Sequence, residues 1–250
     1  SSIQLAVHIT DLSSLVLTGT PLFDLAEERI SSLYTPNKVY PMFPESLSNG
    51  LFSLKEGADR SVLSFHFQLF VKGGWQLLKV VPETICVQRN LSYAEADNFI
   101  RERDTFWEIL HQCSEQLLKS RLEEGALNLA RREFEIDVSE PKRVLITPLE
   151  RNSPANRIIE ELAVLVNRET GRLFHEEAFL GIYRGQAPYE LVKELKPDEE
   201  MTLEHISIEA AKLSTNFQTH AGLGCEFYMQ ATSPIRRFLD LITQIQLNAM

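Results

Sequence analysis

The chain has 250 residues, of which 44% are hydrophobic, and this predicts one large domain with a sizeable core. A net charge of −10 excludes a uniformly basic nucleic-acid-binding surface, although a local basic groove can still hold a nucleic-acid backbone. Three widely spaced cysteines predict neither a disulfide framework nor a zinc site. They favour a reducing compartment, so we expect a cytoplasmic protein, with an organellar location also open. No apolar run approaches the ~18 residues of a membrane span.

In the first half of the chain, residue patterns predict a sheet and one long helix. Alternation predicts strands over residues 3–9 and 61–71, with a return strand over 75–88 after the Gly73-Gly74 turn. Apolar residues at helical spacing predict helices over 22–32 and 93–122, the second ended by Gly125. Three prolines predict an irregular loop over residues 34–50.

The second half predicts further helices and short strands. Residues 134–138 and 144–147 have the pattern of a β-pair, and residues 181–184 that of a strand. Ser153-Pro154 predicts the start of a helix that Gly171 ends. Short helices are expected over 188–195 and 203–213, around a solvated acidic turn at 197–200, and an amphipathic helix over 233–250. Hairpins without strict βαβ alternation favour the α+β class.

The most specific motif lies near the C-terminus, at Thr232-Ser233-Pro234-Ile235-Arg236-Arg237. Its two arginines follow a proline that fixes the backbone, and arginine presents planar donors that match phosphate oxygens. His220-Ala221-Gly222-Leu223-Gly224 and Tyr228 precede it at short spacing. The whole run closely resembles the signature of the ribonuclease II (RNB) catalytic domain, the family of 3′→5′ exoribonucleases.

Further segments resemble this family in the same order along the chain. They are Val7 to Asp11, Tyr34 to Pro44, Glu45 to Leu54, Asp59-Arg60, and Ala155 to Glu161 with Asn167 beyond. The resemblance therefore covers nearly the whole chain. It implies an RNB-like α+β domain with a twisted, mainly antiparallel β-sheet core surrounded by helices.

The family's metal site is the main departure. Its magnesium-binding aspartate cluster lies just upstream of the strand that Val7-His8-Ile9 resembles, and residues 1–250 contain no Asp-x-Asp-Asp run. We therefore expect residues 1–250 to be an RNB catalytic domain that is incomplete at the N-terminus and at the C-terminus. No metal ligand is predicted in this chain, and the Mg²⁺ ligands are expected upstream of Ser1.

The resemblance implies two functions that the sequence leaves open. The first is part of a processive, Mg²⁺-dependent 3′→5′ exoribonuclease that hydrolyses single-stranded RNA to nucleoside 5′-monophosphates, with flanking OB- or S1-type RNA-binding domains. The second is a catalytically inactive RNB-like module, without a metal site, that binds RNA or serves as a scaffold.

Four residues match functional positions of the family, and a fifth, Arg237, is the neighbour of one of them. Arg236 matches the catalytic arginine that contacts the scissile phosphate, and Tyr34 the tyrosine that stacks on the 3′-terminal base. Tyr93 matches a second tyrosine that sets RNA in the channel, and Glu160 a glutamate that contacts the terminal ribose. Arg237 is expected either to bind phosphate or to pair with a carboxylate.

Other residues have structural interpretations as well as functional ones. His220 is expected to be structural rather than a general base. Asp11 is either a second-sphere residue near the metal site or a turn residue. Glu161 is expected in a salt bridge on a helix face. The family often has an aromatic clamp residue near Leu127-Asn128-Leu129, and no aromatic follows here until Phe134, which predicts a weaker grip on the 3′ end.

Overall fold

Mixed helices and antiparallel strands confirm the α+β class. The structure is a computed structural model, and it describes residues 2–129, 133–140, 143–149, 153–194 and 201–250. The helices are α1 (Pro21–Arg29), α2 (Tyr93–Arg101), α3 (Thr105–Glu123), α4 (Pro154–Glu176) and α5 (Phe238–Leu247). The strands are β1 (Ser2–Thr10), β2 (Leu33–Tyr34), β3 (Val39–Tyr40), β4 (Asp59–Phe70), β5 (Trp75–Cys86), β6 (Glu133–Asp137), β7 (Leu145–Leu149), β8 (Tyr183–Gly185), β9 (Glu190–Leu191), β10 (Ile206–Ser207) and β11 (Lys212–Ser214).

The largest sheet has three antiparallel strands in the order β1-β4-β5. Alternate residues of β4 form one buried face, and they pack with residues of α3 and α4 in a single apolar cluster: Leu63, Phe65, Phe67, Leu69, Cys113, Leu117, Leu165 and Val166. The indole of Trp75 in β5 donates to Glu169 of α4 at 2.8 Å and ties the sheet to that helix. The period of two in the sequence therefore produces the predicted sheet with helices over one face.

A second core joins α1, the proline-rich segment and α5. Its buried members are Leu12, Val16, Phe23, Ala26, Met42, Phe43, Phe52 and Leu241. These residues come from both ends of the chain, so this core fixes residues 12–52 against the last helix. In the described part of the chain, no helix combines the length and the apolar character that crossing a membrane requires.

The predicted helix over 93–122 is wrong as a single element, because it divides into α2 and α3. Arg103 has a positive φ of 59°, which interrupts the helix. Asp104 then caps α3, its carboxylate accepting from the backbone N–H groups of Phe106 and Trp107. Asp104 therefore starts a new helix where periodicity alone continued the old one.

The prediction that Gly171 ends a helix is also wrong, because α4 continues to Glu176. A Cβ at Gly171 would lie 2.8 Å from the backbone nitrogen of Tyr228. The glycine therefore allows another segment to cross the helix closely, and it is not a stop signal. The predicted start at Ser153 is confirmed, since its hydroxyl accepts from the N–H of Asn156.

Between α4 and α5, the predicted helices over 188–195 and 203–213 are wrong. The structure has the short antiparallel pairs β9–β10 and β8–β11 there, with a 3-10 turn at Leu203–His205. Pairing with distant strands overrides a weak helical periodicity. Residues 197–200 lie outside the described residues. The last helix begins at Phe238 and not at 233, because residues 233–237 form a turn. The predicted pair β6–β7 is confirmed.

Candidate functional site

A cavity of about 530 Å³ opens between the end of β1, the β2–β3 hairpin and the turn before α5. These elements come from the first 54 residues and from residues 232–236, so tertiary structure assembles the cavity. Its lining residues are His8, Ile9, Thr10, Ser32, Tyr34, Val39, Pro41, Glu45, Ser48, Asn49, Leu54, Thr232, Ser233, Pro234, Ile235 and Arg236.

Arg236 lies in a tight turn that hydrogen bonds hold on both sides. The backbone N–H groups of Arg236 and Arg237 donate to the carbonyl of Ser233 at 3.1 and 3.0 Å. The N–H of Ser32 donates to the carbonyl of Arg236 at 3.0 Å. Within the part of the chain that the structure describes, the Arg236 guanidinium makes no salt bridge. It is an exposed cation at the cavity wall, available to an anionic group.

Arg237 lies on the other side of the same turn, in a salt bridge with Asp240. Its Nη2 is 2.7 Å from Oδ1 of that carboxylate, which is fully buried. With the Gln230 amide oxygen facing the cations, it accepts from Arg237 Nη1 at 2.8 Å and from Arg184 Nη1 at 3.1 Å. Of the two interpretations of Arg237, the structure contains the ion pair.

Tyr34 shares the cavity with Arg236, whereas Tyr93 and Glu160 do not line it. Tyr34 pairs with Val39 across the β2–β3 hairpin, and its side chain is 60% exposed at the cavity. Tyr93 is exposed at the first turn of α2. Glu160 is exposed on α4 and accepts from Arg157 at 3.0 Å. The structure therefore brings together two of the five predicted site residues.

Two polar residues of the cavity were assigned no role from the sequence. Glu45 directly follows Pro44 and brings a carboxylate to the cavity wall. Among the described lining residues it is the only acidic one. His8 contributes an imidazole whose Nδ1 lies 2.7 Å from the hydroxyl of Ser64, and burial lowers the pKa of His8. Both belong to segments that match the family, but only their position in the cavity distinguishes them.

His220, Asp11 and Glu161, for which structural roles were also expected, lie in packed, turn or salt-bridged positions. Burial and the nearby Arg184 lower the pKa of His220 to about 4, and its ring packs edge-on against Tyr228 at 5.2 Å. Asp11 accepts from the N–H and the hydroxyl of Ser13, at 2.9 and 2.6 Å. The third is Glu161, which is buried and bonds to Arg121 at 2.6 and 2.8 Å.

The residues that the structure describes do not fit a metal ion. Among the described residues, no group of three or more histidine, cysteine, aspartate or glutamate side chains has the arrangement of a metal site. What the described residues contribute to the cavity is a cation, an aromatic ring, a carboxylate and an imidazole, and no reaction step through a metal follows from them.

A family model described as the RNB domain matches residues 1–205 and 190–250, which together span the chain. The chain belongs to the RNB domain family. The match covers both the hairpin that carries Tyr34 and the turn that carries Arg236, so the whole cavity lies within the RNB domain.

Similar curated proteins are named as ribonucleases, and this chain covers less than half of the length of those described below. An uncharacterized ribonuclease of Synechocystis is 27% identical over 256 residues, covering 98% of this RNB chain and 38% of that protein. Proteins named ribonuclease R match at 25% to 30% identity. The chain thus spans about two fifths of the length of the curated relatives it matches.

Solved structures that share the fold include an RNase R and a pseudonuclease. The RNase R of Mycoplasma genitalium in complex with ribose methylated single-stranded RNA aligns with a TM-score of 0.85 and 23% identity, covering 98% of this chain and 45% of that one. Yeast Ssd1, described as a pseudonuclease, aligns with a TM-score of 0.74 and 17% identity, covering 99% of this chain and 36% of that one. The RNB fold thus occurs both in an RNase R and in a pseudonuclease.

Proposed function

We propose that the protein containing this RNB domain is a processive, Mg²⁺-dependent 3′→5′ exoribonuclease that hydrolyses single-stranded RNA to nucleoside 5′-monophosphates. The observation that carries the proposal is that one cavity is lined both by Arg236, which makes no salt bridge within the described part of the chain, and by the exposed Tyr34. The cavity is of the size that small-molecule sites have, which is enough for a terminal nucleotide.

The side chains of the cavity have complementary tasks in this proposal. Arg236 neutralises charge on the phosphoryl oxygens, and it does so most strongly as the transition state develops. Tyr34 stacks on the 3′-terminal base, which is the usual way in which proteins hold single strands without reading sequence. Glu45 brings a carboxylate to the cavity wall, and in this proposal it accepts a hydrogen bond from a ribose hydroxyl, a contact that favours RNA over DNA.

Mg²⁺ would supply charge neutralisation and an activated water when bound. We propose that its ligands, and OB- or S1-type domains that hold the rest of the RNA, belong to the remainder of the longer protein. The length of the relatives supports this arrangement. We also propose a cytoplasmic location, which the three free cysteines favour.

The test of the proposed function is Arg236→Lys in the full-length protein. Lysine keeps the charge and loses the planar pair of donors. We expect kcat on 5′-labelled poly(A) to fall at least about 100-fold, with KM changed by less than about threefold, since the contact acts in the transition state. Arg143→Lys, an exposed arginine paired with Glu140, is the matched control and leaves both constants unchanged.

The outcome that contradicts the catalytic role of Arg236 is a large rise in KM with unchanged kcat, because it assigns the arginine to ground-state binding. Mononucleotide release that persists in EDTA contradicts the role of Mg²⁺.

The alternative is a catalytically inactive RNB module that binds RNA or acts as a scaffold. One observation favours it, which is the similarity in fold to a protein described as a pseudonuclease. The same assay separates the two functions. An inactive module binds single-stranded RNA but releases no mononucleotide at any Mg²⁺ concentration.

A further inference from the structure

The buried side of the arginine turn is held by one carboxylate. Asp240, in the first turn of α5, has no exposed surface. Its Oδ1 accepts from the backbone N–H of Ser233 at 2.8 Å and from Arg237 Nη2 at 2.7 Å. A single oxygen therefore joins the start of the turn to its end.

The two arginines of the turn have different surroundings. Arg236 lies in the turn, where its N–H donates to the carbonyl of Ser233, and it lines the cavity. Arg237, which follows with extended backbone angles of φ −140° and ψ 121°, lies in the polar network with Asp240 and Gln230. Because the two residues are adjacent in the chain, holding Arg237 in this network restrains the backbone of the turn that carries Arg236.

Burying this polar network carries a desolvation cost that a purely stabilising element would avoid. Asp240 Oδ2 and Arg237 Nε are both buried without a hydrogen-bond partner among the described residues. Burial raises the pKa of Asp240, against the opposing effect of Arg237. Well-packed apolar residues often replace a buried ion pair without loss of stability, so such a pair suggests another role.

We propose that Asp240 and Arg237 are positioning residues that hold the Arg236 guanidinium in the cavity. The inference rests on the proposed function, because Arg236 must contact RNA for its position to matter. The ion pair fixes the inner side of the turn, while the bond from Ser32 N–H to the Arg236 carbonyl fixes the outer side.

The test compares two buried carboxylates in the full-length protein. Asp240→Asn keeps the shape and an acceptor oxygen but removes the charge that orders Arg237. Glu161→Gln is the matched control, since Glu161 is equally buried, pairs with Arg121 and does not line the cavity. We expect Asp240→Asn to lower kcat about 10- to 100-fold with little change in KM, the size of effect that misplacing a catalytic group produces. Glu161→Gln should leave kcat unchanged even if both variants lower the melting temperature.

A second readout does not require turnover. Phenylglyoxal modifies arginines, and peptide mass spectrometry measures the rate at Arg236 with and without a five-nucleotide poly(A) in EDTA. We expect the oligonucleotide to protect Arg236 in the wild-type protein and in Glu161→Gln, and to protect it several-fold less in Asp240→Asn. Lack of protection in the wild-type protein overturns the proposed function and the positioning role together. Equal protection in wild type and Asp240→Asn overturns the positioning role alone.

A double variant separates positioning from stability. Asp240→Leu with Arg237→Met replaces the ion pair by apolar contacts, so the melting temperature recovers while kcat and the protection of Arg236 stay low. Recovery of all three quantities would reduce the pair to a structural element. If Asp240→Asn does not fold, Arg237→Lys, which keeps the charge but loses the fork toward Asp240 and Gln230, decides by the same two readouts.

Discussion

Gly171→Ala tests whether the glycine in α4 is needed for the segment at residues 227–228 to cross the helix closely. The nearest atoms to an added Cβ are the backbone nitrogen of Tyr228 at 2.8 Å, and the carbonyl carbon and Cβ of Phe227 at 3.1 Å. The first contact is with backbone, so no side-chain rotation relieves it. Either the helix or the segment at 227–228 must move by about 0.6 Å to restore an ordinary contact.

Two opposing terms decide the sign of the effect. Alanine is favoured over glycine in a helix interior by about 0.8–1.0 kcal/mol. Forcing an extra carbon into a packed site costs about 1–3 kcal/mol. We expect the packing term to exceed the helix term, giving a net destabilisation of about 1 kcal/mol. In a domain of this size, that lowers the melting temperature by about 2–4 °C.

The assay is chemical and thermal unfolding followed by circular dichroism, with Gly50→Ala as the matched control. Gly50 also has a negative φ, and an added Cβ there meets nothing within 4 Å, so alanine should be neutral or stabilising. If Gly171→Ala is as stable as Gly50→Ala or more so, the close crossing is wrong and Gly171 has no packing role.

Four further predictions concern stability and the cavity. Ile30 has a φ of 62° in a turn closed by Ser31 N–H to Arg29 O, so Ile30→Gly should raise the free energy of unfolding by about 1 kcal/mol in urea titration, since relief of strain outweighs the entropy of glycine. The pKa of His220 is lowered to about 4, so between pH 6.5 and pH 4 the unfolded state binds a proton that the folded state does not. The contribution of His220 to the free energy of unfolding is therefore complete above pH 6.5 and falls by about 3 kcal/mol toward pH 4. His220→Phe should flatten that part of the urea-midpoint profile. Tyr34→Ala should leave a longer end-product on a sequencing gel while long RNA is degraded at a similar rate, since one stack contributes about 1–3 kcal/mol; an unchanged end-product with a lower melting temperature would make Tyr34 a packing residue. Glu45→Gln should reduce the preference for RNA over a substrate with a 3′-terminal deoxyribose about tenfold, and Glu160→Gln should not; the reverse result would return the ribose contact to Glu160.

Local chemistry predicted much of the fold. Ser153 and Pro154 mark the start of α4, Gly73-Gly74 closes the β4–β5 hairpin, and alternation identifies β1 and β4. These signals act within a few residues, through a hydroxyl that accepts an N–H or a turn that needs a positive φ. They hold wherever no distant contact competes with them.

Distant contacts decided the positions where prediction failed. Gly171 has the same local signal whether it ends a helix or admits a crossing segment, and only the approach of Tyr228 distinguishes the two. Likewise, residues 203–213 have a weak helical pattern that pairing with β8 and β9 overrides. Propensity is worth fractions of a kcal/mol per residue, so packing and strand pairing prevail.

For the candidate site, the sequence by itself determined the family and the residue types: an arginine pair after a proline, and a tyrosine before a proline-rich segment. It could not determine which of these residues meet. Tyr34 and Arg236 are about two hundred residues apart, and the core shared by α1 and α5 brings them to one cavity. The surroundings of the two arginines likewise depend on the fold, since Arg237 pairs with the buried Asp240 while Arg236 lies at the cavity wall. Which side chains share a cavity depends on the packing of the whole chain, and no local signal in the sequence encodes it.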